Sequence, residues 1–302
     1  VIGSGVPARD ALDGAITAIG AAGCETPRLD AEVLLAHVLG VERGQLLIDR
    51  DLTVQGEAVR AFQNAVRRRS VEREPVAYIV GSRGFRRLDL EVDSRVLVPR
   101  PETELLVEVG LTLPRTVSVL DVGTGSGAVA LALKDERPDL EITGSDVSAE
   151  ALDLARSNGL RLGLTGVRWL RADLLAGVQD EFDAVISNPP YVAESERARL
   201  APEILRHEPL GALFAGPDGL AVIRALLAQL ADLARARFVA VEVGAGQAEA
   251  VAGLMRAAGF AAVRAERDLA DIERVVVGER GSGRRMSGLR VSGQPASGQP
   301  AS

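Results

Sequence analysis

Aromatic residues are scarce, 3% of the 302, with one tryptophan and two tyrosines. A core must therefore be assembled from Ala, Val and Leu. A single cysteine, Cys24, excludes an internal disulfide framework and a cysteine-based metal site. The two histidines, His37 and His207, lie far apart without HExxH-like spacing, so zinc chemistry has no ligand set and no metal is expected. Lysine is nearly missing: of 35 Lys+Arg residues only Lys134 is lysine, which leaves 34 arginines, a bias that GC-rich coding explains without a functional cause. No apolar run approaches the ~18–20 residues of a membrane span, and the N-terminus lacks a basic-then-apolar signal. With one thiol as well, a cytoplasmic address is the expectation.

What is present describes a globular chain, 47% hydrophobic and 25% charged, long enough for two domains. The formal net charge of −7 argues against a protein held to nucleic acid by diffuse positive charge. That charge is uneven. Between Arg60 and Arg100 there are ten arginines and five acids, a net of +5, so the rest of the chain carries −12. This basic neck reads either as a solvated surface or as a face for an acidic or phosphate-bearing partner.

The organisation is read in four parts. Residues 1–75 carry apolar stripes at helical spacing (Ala11, Leu12, Ile16, Ile19; Leu29, Val33, Leu34, Val38; Val59, Phe62, Val66), with Pro27 fitting a helix start and Gly23 and Gly40 fitting helix ends: a small helical bundle. Residues 76–98 alternate (Val76, Tyr78, Val80, then Leu88, Leu90, Val92) around Gly81 and Gly84, and predict a hairpin linker. Residues 99–280 show strands over 117–122, 141–147, 167–172, 182–187, 238–243, 261–266 and 275–277. Helices at 128–133, 149–162, 220–234 and 247–258 alternate with them, which specifies an α/β fold: a mostly parallel, Rossmann-like sheet with helices on both faces. Residues 281–302, Gly-, Ser- and Arg-rich and ending in SGQPASGQPAS, are expected to be disordered.

Three strand ends carry chemistry. Gly123-Thr124-Gly125-Ser126-Gly127 follows the first parallel strand, where glycines let a ligand approach the backbone; the Lys-Ser/Thr pair of a phosphate loop is missing. Asp146 closes the second strand, placed to accept ribose hydroxyls, and Asp173 closes the third, placed beside an adenine amino group. Each acid could equally be a helix N-cap. Asn188-Pro189-Pro190-Tyr191 follows the fourth strand. Two prolines stiffen the loop, its carbonyls and the Asn188 oxygen suit a planar –NH2 group, and Tyr191 offers a flat face for stacking.

The glycine loop with NPPY resembles the class I S-adenosylmethionine (SAM)-dependent methyltransferases that act on amino groups. Leu97-Val98-Pro99-Arg100-Pro101-Glu102-Thr103-Glu104 narrows the resemblance to the HemK-type glutamine methyltransferases, which modify the glutamine of the GGQ motif in peptide-chain release factors. It runs from Pro75 to Val277 and includes His207-Glu208-Pro209 and Glu242-Val243-Gly244 with Gln247. The resemblance implies that Gly123–Gly127 surround the SAM methionine moiety, that Asp146 holds its ribose, and that Asp173 and Leu174 flank its adenine. It further implies that Asn188, Pro189, Pro190 and Tyr191 hold the target amide, with Asn188 also beside the SAM methyl. Arg100, Pro101, Glu102 and Thr103 would line the mouth of that pocket, and the helical N-terminus would engage the release factor. The chain departs from the family pattern twice: Leu174-Leu175 stand where an aromatic is usual, and Asp271-Ile272-Glu273-Arg274 lacks a glycine.

An N6-adenine or N4-cytosine methyltransferase is the alternative, since those bases also present a conjugated –NH2. A non-catalytic SAM-binding scaffold would have no need of both motifs. A nicotinamide dehydrogenase would need a proton-transfer group beside the loop, and His207 reads instead as a residue that shapes a loop.

Overall fold

The computed structural model describes residues 5–49, 51–231 and 235–281; the tail expected at 281–302 lies outside them apart from Gly281. The N-terminal region is helical: α1 (Ala8–Ala21), α2 (Pro27–Leu39), α3 (Arg43–Ile48), α4 (Glu57–Ser70) and a short α5 (Val76–Val80). Two-residue strands, β1 (Val6–Pro7) and β2 (Thr53–Val54), pair antiparallel beside α1. Leu12, Ala15 and Ile19 of α1, Leu34 and Leu35 of α2, and Phe62 and Ala65 of α4 form one buried cluster with Ile79. Non-polar side chains of ordinary size thus close a core with a single aromatic ring in it.

Val76–Val80 corrects the sequence reading, since it is a helical turn and not the first strand of a hairpin. Pro75 holds φ at −56° at its start, and Gly81 ends it with φ +78°, the left-handed conformation glycine favours. A five-residue apolar run supports either period, and these two residues decide it. The hairpin itself is shorter: β3 (Ser82–Phe85) pairs with β4 (Leu88–Glu91) around Arg86-Arg87.

Beyond it, α6 (Glu104–Leu111) leads into a seven-stranded sheet. Its strands are β5 (Ser118–Val122), β6 (Glu141–Asp146), β7 (Arg168–Arg171), β8 (Ala184–Ser187), β9 (Phe238–Glu242), β10 (Ala262–Arg267) and β11 (Glu273–Glu279), in the order β10-β11-β9-β8-β5-β6-β7. β9, β8, β5, β6 and β7 run parallel, and β11 is antiparallel to both its neighbours. The helices are α7 (Ala128–Glu136), α8 (Ala149–Arg161), α9 (Pro202–His207), α10 (Ala221–Ala231) and α11 (Ala248–Ala257). Alternate residues of each strand feed opposite faces. Val119, Ile186 and Ala240 pack with α6, α7 and α8, whereas Leu120, Val185 and Val241 pack with α10 and α11. Burial on both faces is why these strands read as continuous apolar runs.

The basic neck is largely neutralised from within. Seven of its ten arginines meet a carboxylate: Arg67 with Glu72, Arg68 with Glu74, Arg69 with Asp30, Arg73 with Glu203, Arg86 with Glu136, Arg95 with Asp93 and Arg100 with Glu208. One group ties the helical region to the sheet region. The Arg69 side chain, 7% exposed, donates to Asp30 at 2.6 Å and meets Glu203 of α9 at 3.1 Å, while Arg73 reaches Glu203 at 2.6 Å and the Ala22 carbonyl at 2.6 Å. His207 Nε2 lies 2.9 Å from the Glu72 carbonyl. A carbonyl only accepts, so the ring donates there, and His207 shapes this junction as expected.

Removing one partner of a buried ion pair strands the other. Arg69→Ala is therefore expected to cost about 3 kcal/mol, since Asp30 keeps only Thr26 as a partner among the described residues. Urea denaturation reads this as a lower midpoint. A loss under about 1 kcal/mol would show the pair to be solvated, as surface pairs are.

Candidate active site

Strand register builds the site. Val122 pairs with Ser145 on one side and Ser187 on the other, and Ser187 pairs with Val241. The next residue on each strand, Gly123, Asp146, Asn188 and Glu242, therefore falls in one row at the carboxyl edge. The chain moves outward from β5 to β6 and β7, then returns to the other side of β5 with β8. The β5/β8 crevice is thus the topological switch point where open α/β sheets bind ligands.

The loop after β5 is held from beneath. Asp121, 2% exposed, accepts from Thr124 Oγ1 at 2.6 Å and from the Ala130 amide at 3.2 Å. The Gly123 and Thr124 amides both donate to the Ser145 carbonyl at 2.8 Å. Gly123, Gly125 and Gly127 have φ of +72°, +54° and +84°, a left-handed succession that side-chain-bearing residues resist. A Cβ on Gly123 or Gly125 would meet no atom within 4 Å, so the outer side of the loop is open to a ligand. Ser126 and Thr124 are buried and support the turn. Asp146 faces this opening: Oδ2 accepts from the Gly125 amide at 3.0 Å and Oδ1 from Ser148 at 2.9 Å. The N-cap of α8 is Ser148, whose hydroxyl accepts from Ala151, so Asp146 is not the cap.

Asp173 is exposed, two residues past β7, and its carbonyl accepts from Ala176 at 2.9 Å. Leu174 beside it is half-buried with φ +54°, a conformation that costs a non-glycine residue of the order of 1 kcal/mol. Neither is hydrogen-bonded to the NPPY loop among the described residues.

That loop is braced from several elements. Asn188 Nδ2 donates to Thr103 Oγ1 at 3.0 Å, which leaves its Oδ1 for another donor. Thr103, 4% exposed, sits in the 3-10 turn Pro101–Thr103, so the PRPET segment and NPPY meet directly. Pro189 is buried and Pro190 half-buried. Gln247 Nε2 donates to the Tyr191 carbonyl at 3.0 Å while its Oε1 accepts from the Gly244 amide at 2.9 Å. Gly219, φ +73°, lets the chain pass against that carbonyl: a Cβ there would lie 2.2 Å from the Tyr191 oxygen. Arg100 pairs at 2.6 Å with Glu208, 4% exposed, which also accepts from the Val98 amide. Glu102 is exposed.

Two carboxylates in this region are forced toward neutrality. Burial pushes the Asp121 carboxyl up to about 7 against the pull of its Thr124 and Ala130 hydrogen bonds. Glu242, 1% exposed, is also pushed up to about 7 by burial, with the Thr103 and Tyr191 hydroxyls drawing it back. Tyr191 donates to Glu242 Oε1 at 3.3 Å, and burial beside that carboxylate raises its own phenol. Glu242 and Gln247 were visible only as members of a motif, without a role; strand-end placement of Glu242 in the same row as Asn188 was the available signal.

A parallel sheet with one antiparallel strand, a glycine loop after its first parallel strand and NPPY after the fourth is the arrangement of a methyltransferase. The chain matches the Methyltransferase small domain over residues 101–243 and the PrmC N-terminal domain over residues 10–81. The hMettl16 catalytic domain, solved with the MAT2A 3'UTR hairpin 6, shares the fold with a TM-score of 0.55 at 16% identity, covering 76% of this chain and 84% of that one. The release factor glutamine methyltransferase of Rhodospirillum rubrum is 42% identical over 86% of this chain and 81% of its own length. That of Deinococcus radiodurans is 39% identical over 91% of this chain and 99% of its own. The chain belongs to the release factor glutamine methyltransferase family. No described helix is long and apolar enough to cross a membrane.

The raised carboxyls fix a pH dependence. Glu242 binds a proton in the folded chain up to about pH 7 that an ordinary glutamate, near 4.5, has already released. Its contribution is therefore fully present below about pH 4.5 and is lost as pH rises through 7. For a shift of this size the loss is bounded at about 3 kcal/mol. Thermal unfolding of Glu242→Gln is expected to show a flatter stability profile between pH 5 and 8 than the parent; parallel profiles would place Glu242 in water.

Proposed function

We propose that the chain transfers the methyl group of SAM to the side-chain amide nitrogen (N5) of the glutamine in the GGQ motif of peptide-chain release factors. The observation that carries this is Asn188: its NH2 is taken by Thr103, so its oxygen is the group presented at the β5/β8 crevice. The residues present suit the cofactor. The glycine loop has an open outer side with no Cβ in the way, and a half-buried carboxylate, Asp146, is oriented beside it by two amides. Gly123–Gly127 would hold the methionine moiety, Asp146 the ribose, and Asp173 with Leu174 the adenine, there against an aliphatic side chain.

Bound SAM supplies an electrophilic methyl on a sulfonium. The chain's task is to make a poor nucleophile attack it, since an amide lone pair is delocalised into its carbonyl. Asn188 Oδ1 and the Pro189 carbonyl would accept the two amide hydrogens and favour a tetrahedral nitrogen aimed in line. Pro189-Pro190 fixes the loop, Gln247 and the cramped Gly219 fix the Tyr191 carbonyl, and the Tyr191 ring would cover the amide plane. Methylation would leave the amide nitrogen strongly acidic, and its extra proton would pass to water. Catalysis on this account is positioning and electrostatics, with no strong base. Arg100, Pro101, Glu102 and Thr103 form the mouth, and the helical region engages the protein substrate. We place the divisions at 1–75, 76–98 and 99–280, in a cytoplasmic protein. Pairing of seven of the ten neck arginines with carboxylates of this chain supports a protein substrate over a nucleic acid.

Asn188→Ala is expected to lower transfer on the order of 100-fold or more while SAM affinity by titration calorimetry stays within about threefold. Near-normal turnover would sink the assignment.

A further inference from the structure

The segment between NPPY and α10 is fastened at three places. At its base the Val192 amide donates to the Leu213 carbonyl at 2.9 Å and the Ala215 amide to the Val192 carbonyl at 3.0 Å, so the chain that leaves NPPY returns to it. Between these ends α9 reaches in two directions. Toward the helical region, Glu203 meets Arg73 at 2.6 Å and Arg69 at 3.1 Å, and His207 lies 2.9 Å from the Glu72 carbonyl. Toward the pocket, Glu208 holds Arg100 at 2.6 Å and accepts from the Val98 amide at 3.3 Å. Arg100 leads into the turn Pro101–Thr103, where Thr103 accepts from Asn188. We propose, resting on the release-factor reading above, that α9 is a clamp fixing the helical region at one spacing from the pocket. Glu203 is its positioning residue: it governs transfer to a whole release factor and not to a short GGQ peptide.

What sets this junction apart is its cost. Arg73 holds φ at +57°, a region that side-chain-bearing residues avoid, and its Nε is one of three buried side-chain polar atoms without a hydrogen-bond partner among the described residues. Four charges, on Asp30, Arg69, Arg73 and Glu203, are withdrawn from water, none with a side chain more than 15% exposed. Apolar side chains would join the two regions without those costs, yet α9 places no buried residue in either apolar core. Apolar contact is non-directional and tolerates sliding. Charge-assisted hydrogen bonds are directional: the Arg73 fork must aim one nitrogen at Glu203 and the other at the Ala22 carbonyl, each at 2.6 Å. A left-handed residue just past α4 and a fork with two fixed targets define a single orientation.

The consequence is one of delivery. A release factor held by the helical region brings its glutamine to Asn188 only if that region keeps its spacing from the pocket. Remote binding energy then becomes orientation at the reacting nitrogen. With the clamp open, the linker alone sets the spacing, and the effective concentration of the glutamine at the pocket falls. A peptide that carries only the GGQ sequence meets the pocket alone and does not sense the loss.

The test uses the full chain with SAM, an intact release factor and a short peptide spanning its GGQ motif. Glu203→Gln should lower kcat/KM for the release factor at least about tenfold, with SAM affinity and kcat/KM for the peptide each within about threefold of wild type. Arg73→Gly, which relaxes the left-handed backbone while removing the contact, should reproduce the loss. Asp30→Asn breaks a pair inside the helical region and leaves Glu203 in place; it should lower stability yet keep release-factor transfer within about threefold. Spin labels on Arg28→Cys in α2 and Arg156→Cys in α8, with the buried Cys24 out of reach, should give one narrow distance in the parent and a broad one once Glu203→Gln is added. That distance decides where the peptide is turned over too slowly to time. If Glu203→Gln does not fold, Arg73→Gly decides in its place. Release-factor transfer by Glu203→Gln within about threefold of wild type, an equal loss on release factor and peptide, or an unchanged distance distribution would overturn the clamp. If wild type labels no glutamine at all, the transfer reading fails and this inference falls with it. If wild type labels glutamine and Glu203→Gln matches it, only the inference fails.

Discussion

Register across β6, β5, β8 and β9 is the constraint on which the rest depends. Parallel pairing brings Val122, Ser145, Ser187 and Val241 level, and so delivers Gly123, Asp146, Asn188 and Glu242 to one edge. A slip of one residue in any strand would reverse every side chain in it and move the row apart. Burial of the strands on both faces, with α6, α7 and α8 on one side and α10 and α11 on the other, makes that slip costly. The apolar sheet core and the polar row are thus one device.

Polar groups behind the row then fix what the register delivers. Asp121 fastens the glycine loop, Thr103 fastens Asn188, and Gln247 fastens Tyr191. Each lies on a different element from the group it holds or reaches it across a turn, so the pocket is braced by the fold as a whole. The same holds at larger scale. Glu203, past the NPPY loop, binds Arg69 and Arg73 of the helical region, and Glu208 binds Arg100 of the expected pocket mouth. The segment between NPPY and α10 therefore touches both the expected recognition region and the expected pocket.

Much of this was legible from residues. Alternating strand and helix patterns gave the sheet, because burial on both faces leaves apolar runs that are hard to miss. The glycine loop, Asp146 and NPPY were legible because each is local. What escaped depends on contacts between distant parts of the chain. Val76–Val80 looks like a strand until Pro75 and Gly81 are seen to start and stop a helical turn. The neck arginines read as a basic surface because their partners, Asp30, Glu136, Glu203 and Glu208, lie outside the neck in sequence. The missing glycine near Arg274 is made good by Asp271, which takes φ +61°, a region aspartate tolerates better than most residues. Asp268 accepts from the Ala270 and Ile272 amides to hold that turn.

The central claim is that this pocket methylates the amide nitrogen of one glutamine in a protein. Incubation with methyl-labelled SAM and a release factor, beside the same factor with its GGQ glutamine substituted, tests it most directly. The account predicts label in the wild-type polypeptide alone, on the GGQ glutamine. Equal label in both proteins, or label recovered in nucleic acid instead, would contradict it.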